Sequence, residues 1–290
     1  MAALTLPTPL VSVDWLARHL DHPDLVVLDA HMKPPSAPVS TDPVQQIPGA
    51  RRFDFDGRIK DPATELPHML PSPELFSSEV QALGVHARSL IVVYDRIGIF
   101  SAPRAWWMFR AMGHAQVAVL DGGLPAWQAA AQPLEPETAY AGPRGDFVAR
   151  LQPGLFCDAD MVAAELSSGR RPVVDARSAA RFAGLEPEPR AGLRAGHMPG
   201  ARNLSFGQLQ QGGKMKPAAE LQAEFARVLG EQQAPIFNCA APIFSCGSGV
   251  TACILALGAE LAGYRELTVY DGSWSEWGGD PARPVVQASA

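Results

Sequence analysis

Ser245-Cys246-Gly247-Ser248-Gly249-Val250-Thr251 joins an apolar run, Pro242-Ile243-Phe244, to a stretch of helical composition at 250–261. The run before the cysteine reads as a short buried strand and the stretch after it as a helix. A cysteine at that junction faces backbone N–H groups that the first helical turn leaves without partners. Those donors, with the positive end of the helix dipole, favour a thiolate and any anion attached to it. Gly247 and Gly249 let the loop curl tightly, since glycine adopts positive φ without steric cost. The chemistry this pattern suits is nucleophilic attack by sulfur from within an anion cradle. A buried structural cysteine at a strand end is the competing reading.

The elements that must hold this loop come from a duplication. Leu25-Val26-Val27-Leu28-Asp29-Ala30 recurs as Arg171-Pro172-Val173-Val174-Asp175-Ala176, and Ile47-Pro48-Gly49-Ala50-Arg51 as Met198-Pro199-Gly200-Ala201-Arg202. Val117-Ala118-Val119-Leu120-Asp121-Gly122-Gly123 recurs as Leu267-Thr268-Val269-Tyr270-Asp271-Gly272-Ser273, each followed by a tryptophan, Trp127 or Trp277. A single repeat at roughly 150 residues is a duplicated domain, not a short-period solenoid. Short apolar runs alternate with amphipathic stretches such as 72–83 and 218–229. That alternation predicts an α/β fold, two tandem domains each built on a mainly parallel sheet flanked by helices. The expected limits are an N-terminal domain at 1–131, a Pro- and Gly-rich linker at 132–150 and a C-terminal domain at 151–290. On the flanking motifs, Cys246 aligns with Asp95 in Val93-Tyr94-Asp95-Arg96-Ile97-Gly98. A carboxylate cannot serve as the sulfur nucleophile, so the N-terminal loop is expected to be chemically silent and to wall a cleft between the domains.

Composition narrows the class. The chain has 290 residues, 47% hydrophobic and 19% charged, which suits a well-packed two-domain protein. A net charge of −6 argues against a general nucleic-acid surface. No apolar run approaches the ~20 residues needed to span a bilayer, so no membrane association is expected. The N-terminus lacks the basic start and apolar core of a secretory signal. Four cysteines, Cys157, Cys239, Cys246 and Cys253, form neither a disulfide framework nor a close Cys-x-x-Cys pair. A reducing, cytoplasmic setting without a metal is the expectation.

Cys246-Gly247-Ser248-Gly249-Val250-Thr251-Ala252 resembles the active-site loop of the rhodanese-like sulfurtransferase family, in its branch that uses 3-mercaptopyruvate. The thiosulfate-using branch usually carries basic residues at the two positions held here by Gly247 and Ser248. The resemblance spans nearly the whole chain. It implies sulfur transfer from 3-mercaptopyruvate through a Cys246 persulfide to a thiol, such as thioredoxin or a small thiol, or to cyanide. Pyruvate is released, and no metal or organic cofactor is needed. It also implies that Asp56 and His68 join Ser248 in a proton relay, an imidazole steered by a carboxylate. Arg181 and Arg190, in the segment Arg181-Phe182-Ala183-Gly184-Leu185-Glu186-Pro187-Glu188-Pro189-Arg190, match the family's substrate clamp. A guanidinium fork suits the donor's carboxylate. The backbone of Gly247, Gly249, Val250 and Thr251 is implied to line the anion site. Without the family, Asp56 reads as a surface turn residue, His68 as a loop histidine, and the arginines as surface partners of Glu186 and Glu188. Arg177 reads as half of a structural ion pair, and His197 as a packed turn histidine.

One feature departs from the family. Ala234-Pro235-Ile236-Phe237-Asn238-Cys239-Ala240 immediately precedes Ala241-Pro242-Ile243-Phe244-Ser245-Cys246-Gly247, with five of seven positions identical. Two strand candidates therefore compete for one buried slot. Pro242, three residues after Cys239, has no N–H to offer a cradle, so the second copy is expected in the core and the first in a longer loop. Cys239 could pair with Cys246 on oxidation. The rival functions are a thiosulfate:cyanide sulfurtransferase and a non-catalytic rhodanese-like binding module whose loop the duplication has displaced. A cysteine phosphatase is disfavoured because Ala252 and Cys253 stand where its phosphate-gripping arginine would be.

Overall fold

The computed structural model describes residues 4–6, 9–32, 44–230 and 242–287. It divides into two compact units: residues 1–61, 70–152 and 212–215 form one, and 62–69, 153–211 and 216–290 the other. The short segment 62–69 thus belongs with the C-terminal half of the chain.

In the N-terminal unit a five-stranded sheet runs in the order Leu10–Val11, Val117–Leu120, Leu90–Tyr94, Leu25–Asp29, Arg51–Arg52. All neighbouring strands are parallel. Leu90–Tyr94 and Leu25–Asp29 pair along their whole length, from Leu25 with Leu90 to Asp29 with Tyr94, and every residue of both is buried. Continuous apolar strands of this kind need cover on both faces, which the crossover helices supply. One of these, Pro73–Ala82, starts where the sequence signals it: Ser72 Oγ accepts the Leu75 N–H at 3.3 Å, and Pro73 stands at the first helical position. On Ala102–Ala111, Trp106 and Trp107 are buried packing residues.

The C-terminal unit repeats the plan. Its parallel sheet runs Phe156–Cys157, Thr268–Tyr270, Ile243–Ser245, Val173–Asp175, Arg202–Asn203, the same order by position in the repeat. Trp127 and Trp277, the paired tryptophans of the repeat, make the same contact. Each indole N–H donates to a proline carbonyl, that of Pro133 at 2.7 Å and of Pro284 at 2.8 Å. Pro133 lies in the 132–150 stretch, which also pairs Glu135–Pro136 antiparallel with Gln45–Gln46 in the first unit.

Ile243–Ser245 is the central strand of the second sheet, in register with Val173–Asp175 on one side and Thr268–Tyr270 on the other. The second heptad therefore occupies the core slot. The first heptad and Cys239 lie outside the described residues. The helix after the cysteine begins at Ala252, two residues later than its composition suggests, because Val250 and Thr251 remain in the loop. Among the described residues, no helix is long and apolar enough to cross a membrane.

Candidate active site

Cys246 follows the central strand directly and is buried, at 1% exposure. Its N–H donates to Ser273 Oγ at 3.1 Å, and that hydroxyl donates to the Tyr270 carbonyl at 2.8 Å. Its carbonyl accepts the Trp274 N–H at 2.9 Å, while the Gly247 carbonyl accepts from Ser275 N–H at 2.9 Å and Ser275 Oγ at 2.7 Å. The turn around Ser273–Trp277 thus grips the outer side of the loop. Gly249 sits at φ +72°, the conformation that closes the curl. Among the described residues, the N–H groups of Gly247, Ser248, Val250 and Thr251 meet no acceptor. Thr251 caps Ala252–Leu261 without a side-chain bond, and the N–H groups of Cys253 and Ile254 turn back to the carbonyls of Val250 and Thr251 at 3.1 and 3.0 Å, so the unfilled amides are those of the loop itself. A buried thiolate has little water to solvate it, and unspent amides at a helix start are what can replace that water.

The N-terminal copy shows what such a loop does with an anion of its own. Asp95 holds the matching place, and its carbonyl accepts the Leu124 N–H at 2.9 Å just as that of Cys246 accepts from Trp274. Asp95 Oδ2 accepts from the N–H groups of Phe100 (2.7 Å), Ser101 (2.9 Å) and Ala102 (3.0 Å), and Oδ1 from Ile97 at 3.1 Å. Burial pushes the Asp95 pKa up against the pull of these amides, and with both oxygens accepting, the hydrogen bonding is that of a carboxylate. In the N-terminal loop the amides are taken up by the Asp95 carboxyl group, and the Cys246 loop has the same kind of donors unfilled.

His68 belongs to the same compact unit as Cys246. Its Nδ1 lies 3.1 Å from Ser248 Oγ and 3.3 Å from the Ser248 carbonyl oxygen, and both residues are buried. The His68 backbone is at φ +64°, a region a bulky residue seldom enters. Asp56 is half-buried in the turn at 55–58 of the N-terminal unit.

Arg181, on the short helix Ala179–Ala183, reaches the loop. A Cβ placed on Gly247 would stand 3.2 Å from Arg181 Nη2. Arg181 donates from Nε and Nη2 to the two carboxylate oxygens of Glu188, at 3.3 and 2.5 Å. Glu188 also accepts from Arg177 Nη1 at 2.7 Å, and the fully buried Arg177 clamps both oxygens of Asp175. Burial opposes the Arg177 charge, yet Asp175 and Glu188 together hold its pKa above the usual value. Arg177 is therefore structural, as the sequence indicates, with its guanidinium 4.2 Å over the Trp274 ring. Arg190 is half-buried, and among the described residues it has no ion pair or hydrogen bond. His197 stacks on Phe182 at 3.9 Å and pairs with the Phe182 carbonyl, a packing role. Cys253 is buried, with its thiol donating to the Gly249 carbonyl at 3.3 Å.

Three residues of this site were not legible as such. Glu188 reads as a surface partner but its side chain is only 1% exposed; Pro187 and Pro189 on either side, which stiffen its backbone, were the available signal. Ser273 and Ser275 look like ordinary turn serines. Ser273 replaces Gly123 of the first copy and shares its positive φ, +49° against +55°, and the repeat could have exposed that substitution.

The sequence matches the rhodanese-like domain family twice, over residues 12–130 and 158–280. It is 40% identical to the 3-mercaptopyruvate sulfurtransferase of Escherichia coli K12 over 280 residues, 95% of this chain and 96% of that one. It is also 40% identical to the mitochondrial thiosulfate/3-mercaptopyruvate sulfurtransferase 1 of Arabidopsis thaliana, over 98% of this chain and 79% of the relative. The crystal structure of SseA from Escherichia coli, a 3-mercaptopyruvate sulfotransferase, superposes with a TM-score of 0.79 at 37% identity, covering 92% of this chain and 99% of that one. With two matched domains and full-length relatives at this identity, the chain belongs to the two-domain rhodanese-like sulfurtransferase family.

Proposed function

We propose that this sulfurtransferase takes its sulfur from 3-mercaptopyruvate and carries it as a persulfide on Cys246. The Cys246 thiolate attacks the donor sulfur, an S–S bond forms, and the C–S bond breaks. The electron pair leaves with the three-carbon fragment as the enolate of pyruvate, which is then protonated at carbon. A thiol such as thioredoxin or a small thiol, or cyanide, takes the outer sulfur and returns the Cys246 thiolate. The observation that carries this reading is the set of unfilled amides at Gly247, Ser248, Val250 and Thr251 around a buried cysteine. Each donor well placed on developing charge is worth ~3–4 kcal/mol by analogy with oxyanion holes.

In this reading Arg181 and Arg190 bind the donor carboxylate, and the backbone of Gly247, Gly249, Val250 and Thr251 cradles the transferred sulfur. His68 and Ser248, with Asp56, manage the proton. The N-terminal domain, 1–131, does no sulfur chemistry itself and is tied through 132–150 to the catalytic domain, 151–290. A reducing compartment such as the cytosol suits a cysteine that must stay a thiolate between turnovers. Gly247 and Ser248 put no cation in the loop, which favours a monoanionic donor over thiosulfate. Thiosulfate remains the second reading because the Arabidopsis relative carries both donors in its name.

The test is thiocyanate formation from cyanide with each donor, in the wild type, Cys246→Ser and Cys239→Ser. Preference for 3-mercaptopyruvate, lost only in Cys246→Ser, is the expected result. Preference for thiosulfate would overturn the donor assignment. Turnover with neither would leave a non-catalytic binding module.

A further inference from the structure

Glu188 does more than pair with a surface arginine. Its side chain is 1% exposed and bridges two guanidinium groups, Arg177 at 2.7 Å and Arg181 at 2.5 Å. Arg177 is itself fixed by Asp175, so Glu188 hangs from a rigid post and cannot follow Arg181 if that side chain swings. The pairing consumes the Nε–Nη2 edge of Arg181. What Arg181 has left is the Nη1–Nη2 end, and Nη2 is the atom that stands against Gly247. The carboxylate therefore orients the arginine and cancels its charge at once. The four groups Asp175, Arg177, Glu188 and Arg181 sum to zero, so Arg181 brings donors to the Cys246 loop without adding a net charge of its own.

We propose that Glu188 is a positioning and selectivity residue for the sulfur donor. It turns the free end of Arg181 toward the Cys246 loop and holds the local charge low enough that a monoanionic 2-oxo acid is accepted in preference to a dianion such as thiosulfate. This rests on the reading of Arg181 as a donor-binding residue. A dianion gains more than a monoanion from each uncompensated positive charge nearby, and that difference is large where water is scarce. The carboxylate is the switchable part, because Arg177 keeps its Asp175 clamp whatever stands at position 188.

Two variants separate charge from shape. Glu188→Gln keeps the size and one carbonyl acceptor and removes the charge. Glu188→Asp keeps the charge and shortens the reach. For Glu188→Gln, kcat/KM with thiosulfate divided by kcat/KM with 3-mercaptopyruvate is expected to rise about tenfold. For Glu188→Asp that ratio stays near the wild-type value while KM for 3-mercaptopyruvate increases. A purely structural role would lower both donors in parallel and leave the ratio alone, and that result overturns the proposal, as does an equal shift in both variants. Thermal stabilisation by sulfate and by pyruvate, measured on the same three proteins, needs no turnover. The sulfate effect should grow relative to pyruvate in Glu188→Gln only, and an unchanged balance overturns the proposal. A wild type inactive with both donors, yet showing this shift, would discard the donor assignment and keep the charge-selective site.

Discussion

His68 Nδ1 stands within hydrogen-bonding distance of two oxygens of one residue, Ser248 Oγ at 3.1 Å and the Ser248 carbonyl at 3.3 Å. The carbonyl can only accept, so the arrangement favours a proton on Nδ1 that donates to Ser248. His68→Asn is the informative change, because asparagine tolerates the φ of +64° that His68 adopts. If the imidazole handles the proton, kcat for pyruvate release falls roughly 100- to 10,000-fold while the fold survives. Ser248→Ala should cost less, and the double variant should be little worse than His68→Asn alone, since the two act through one bond. A kcat for His68→Asn within a few-fold of wild type would remove His68 from the mechanism.

Ser273 offers a prediction about the loop's outer support. Its hydroxyl accepts the Cys246 N–H and donates to Tyr270, and its backbone sits at φ +49°. Ser273→Ala leaves the Cys246 N–H buried without a partner, a loss of about 1–3 kcal/mol. Ser273→Gly loses the same bond but relieves the backbone, so it should melt above the alanine variant by the equivalent of about 1 kcal/mol. Equal melting temperatures would mean that the positive φ costs nothing here.

The fold was readable because the signals were redundant. The repeat located the strands Leu25–Asp29 and Val173–Asp175, Val117–Leu120 and Thr268–Tyr270, and the helix Ala218–Leu229 stands at the limits its amphipathic stretch implies. Cys246 stands out as a candidate from local chemistry alone, whereas Arg181 stands out only by resemblance. Glu188 was not legible, because whether a carboxylate between two prolines is buried depends on Arg177 and Arg181 arriving from elsewhere, and spacing along the chain does not encode that. The grouping of His68 with the C-terminal unit was missed for a similar reason: the segment 62–69 leaves its own half of the sequence.

The two loops of the duplication should respond in opposite ways to loss of their key side chain. Asp95 satisfies four N–H groups, those of Ser101 and Ala102 buried and those of Ile97 and Phe100 partly so, and Asp95→Ala should therefore destabilise by about 3 kcal/mol in urea titrations. The Cys246 side chain satisfies none of the unfilled amides of its loop, so Cys246→Ala should lose no more than about 1 kcal/mol through its small cavity. Asp95→Asn should fall between, keeping one oxygen as an acceptor. If Cys246→Ala proved as damaging as Asp95→Ala, the view of the catalytic loop as preformed and unfilled would be wrong.

Asp29 gives the N-terminal unit a dependence on pH whose sign is fixed. Burial alone would raise its pKa, but the hydrogen bond and charge of His31, together with Arg96, outweigh burial and hold it below the usual carboxylate range. A depressed native pKa means that the unfolded chain binds the proton more readily. The stabilisation from Asp29 is therefore complete above its unfolded pKa of about 3.9 and disappears as pH falls through the lower native value. Asp29→Asn removes the charge at every pH. The gap in stability between wild type and variant should be widest at neutral pH and should shrink below about pH 4. Hydrogen exchange of the amides in Leu25–Asp29 reports this unit without interference from the other. A gap that stayed constant down to pH 3 would show that the variant's cost comes from packing, and that the His31 and Arg96 pairing contributes nothing the wild type can lose in acid.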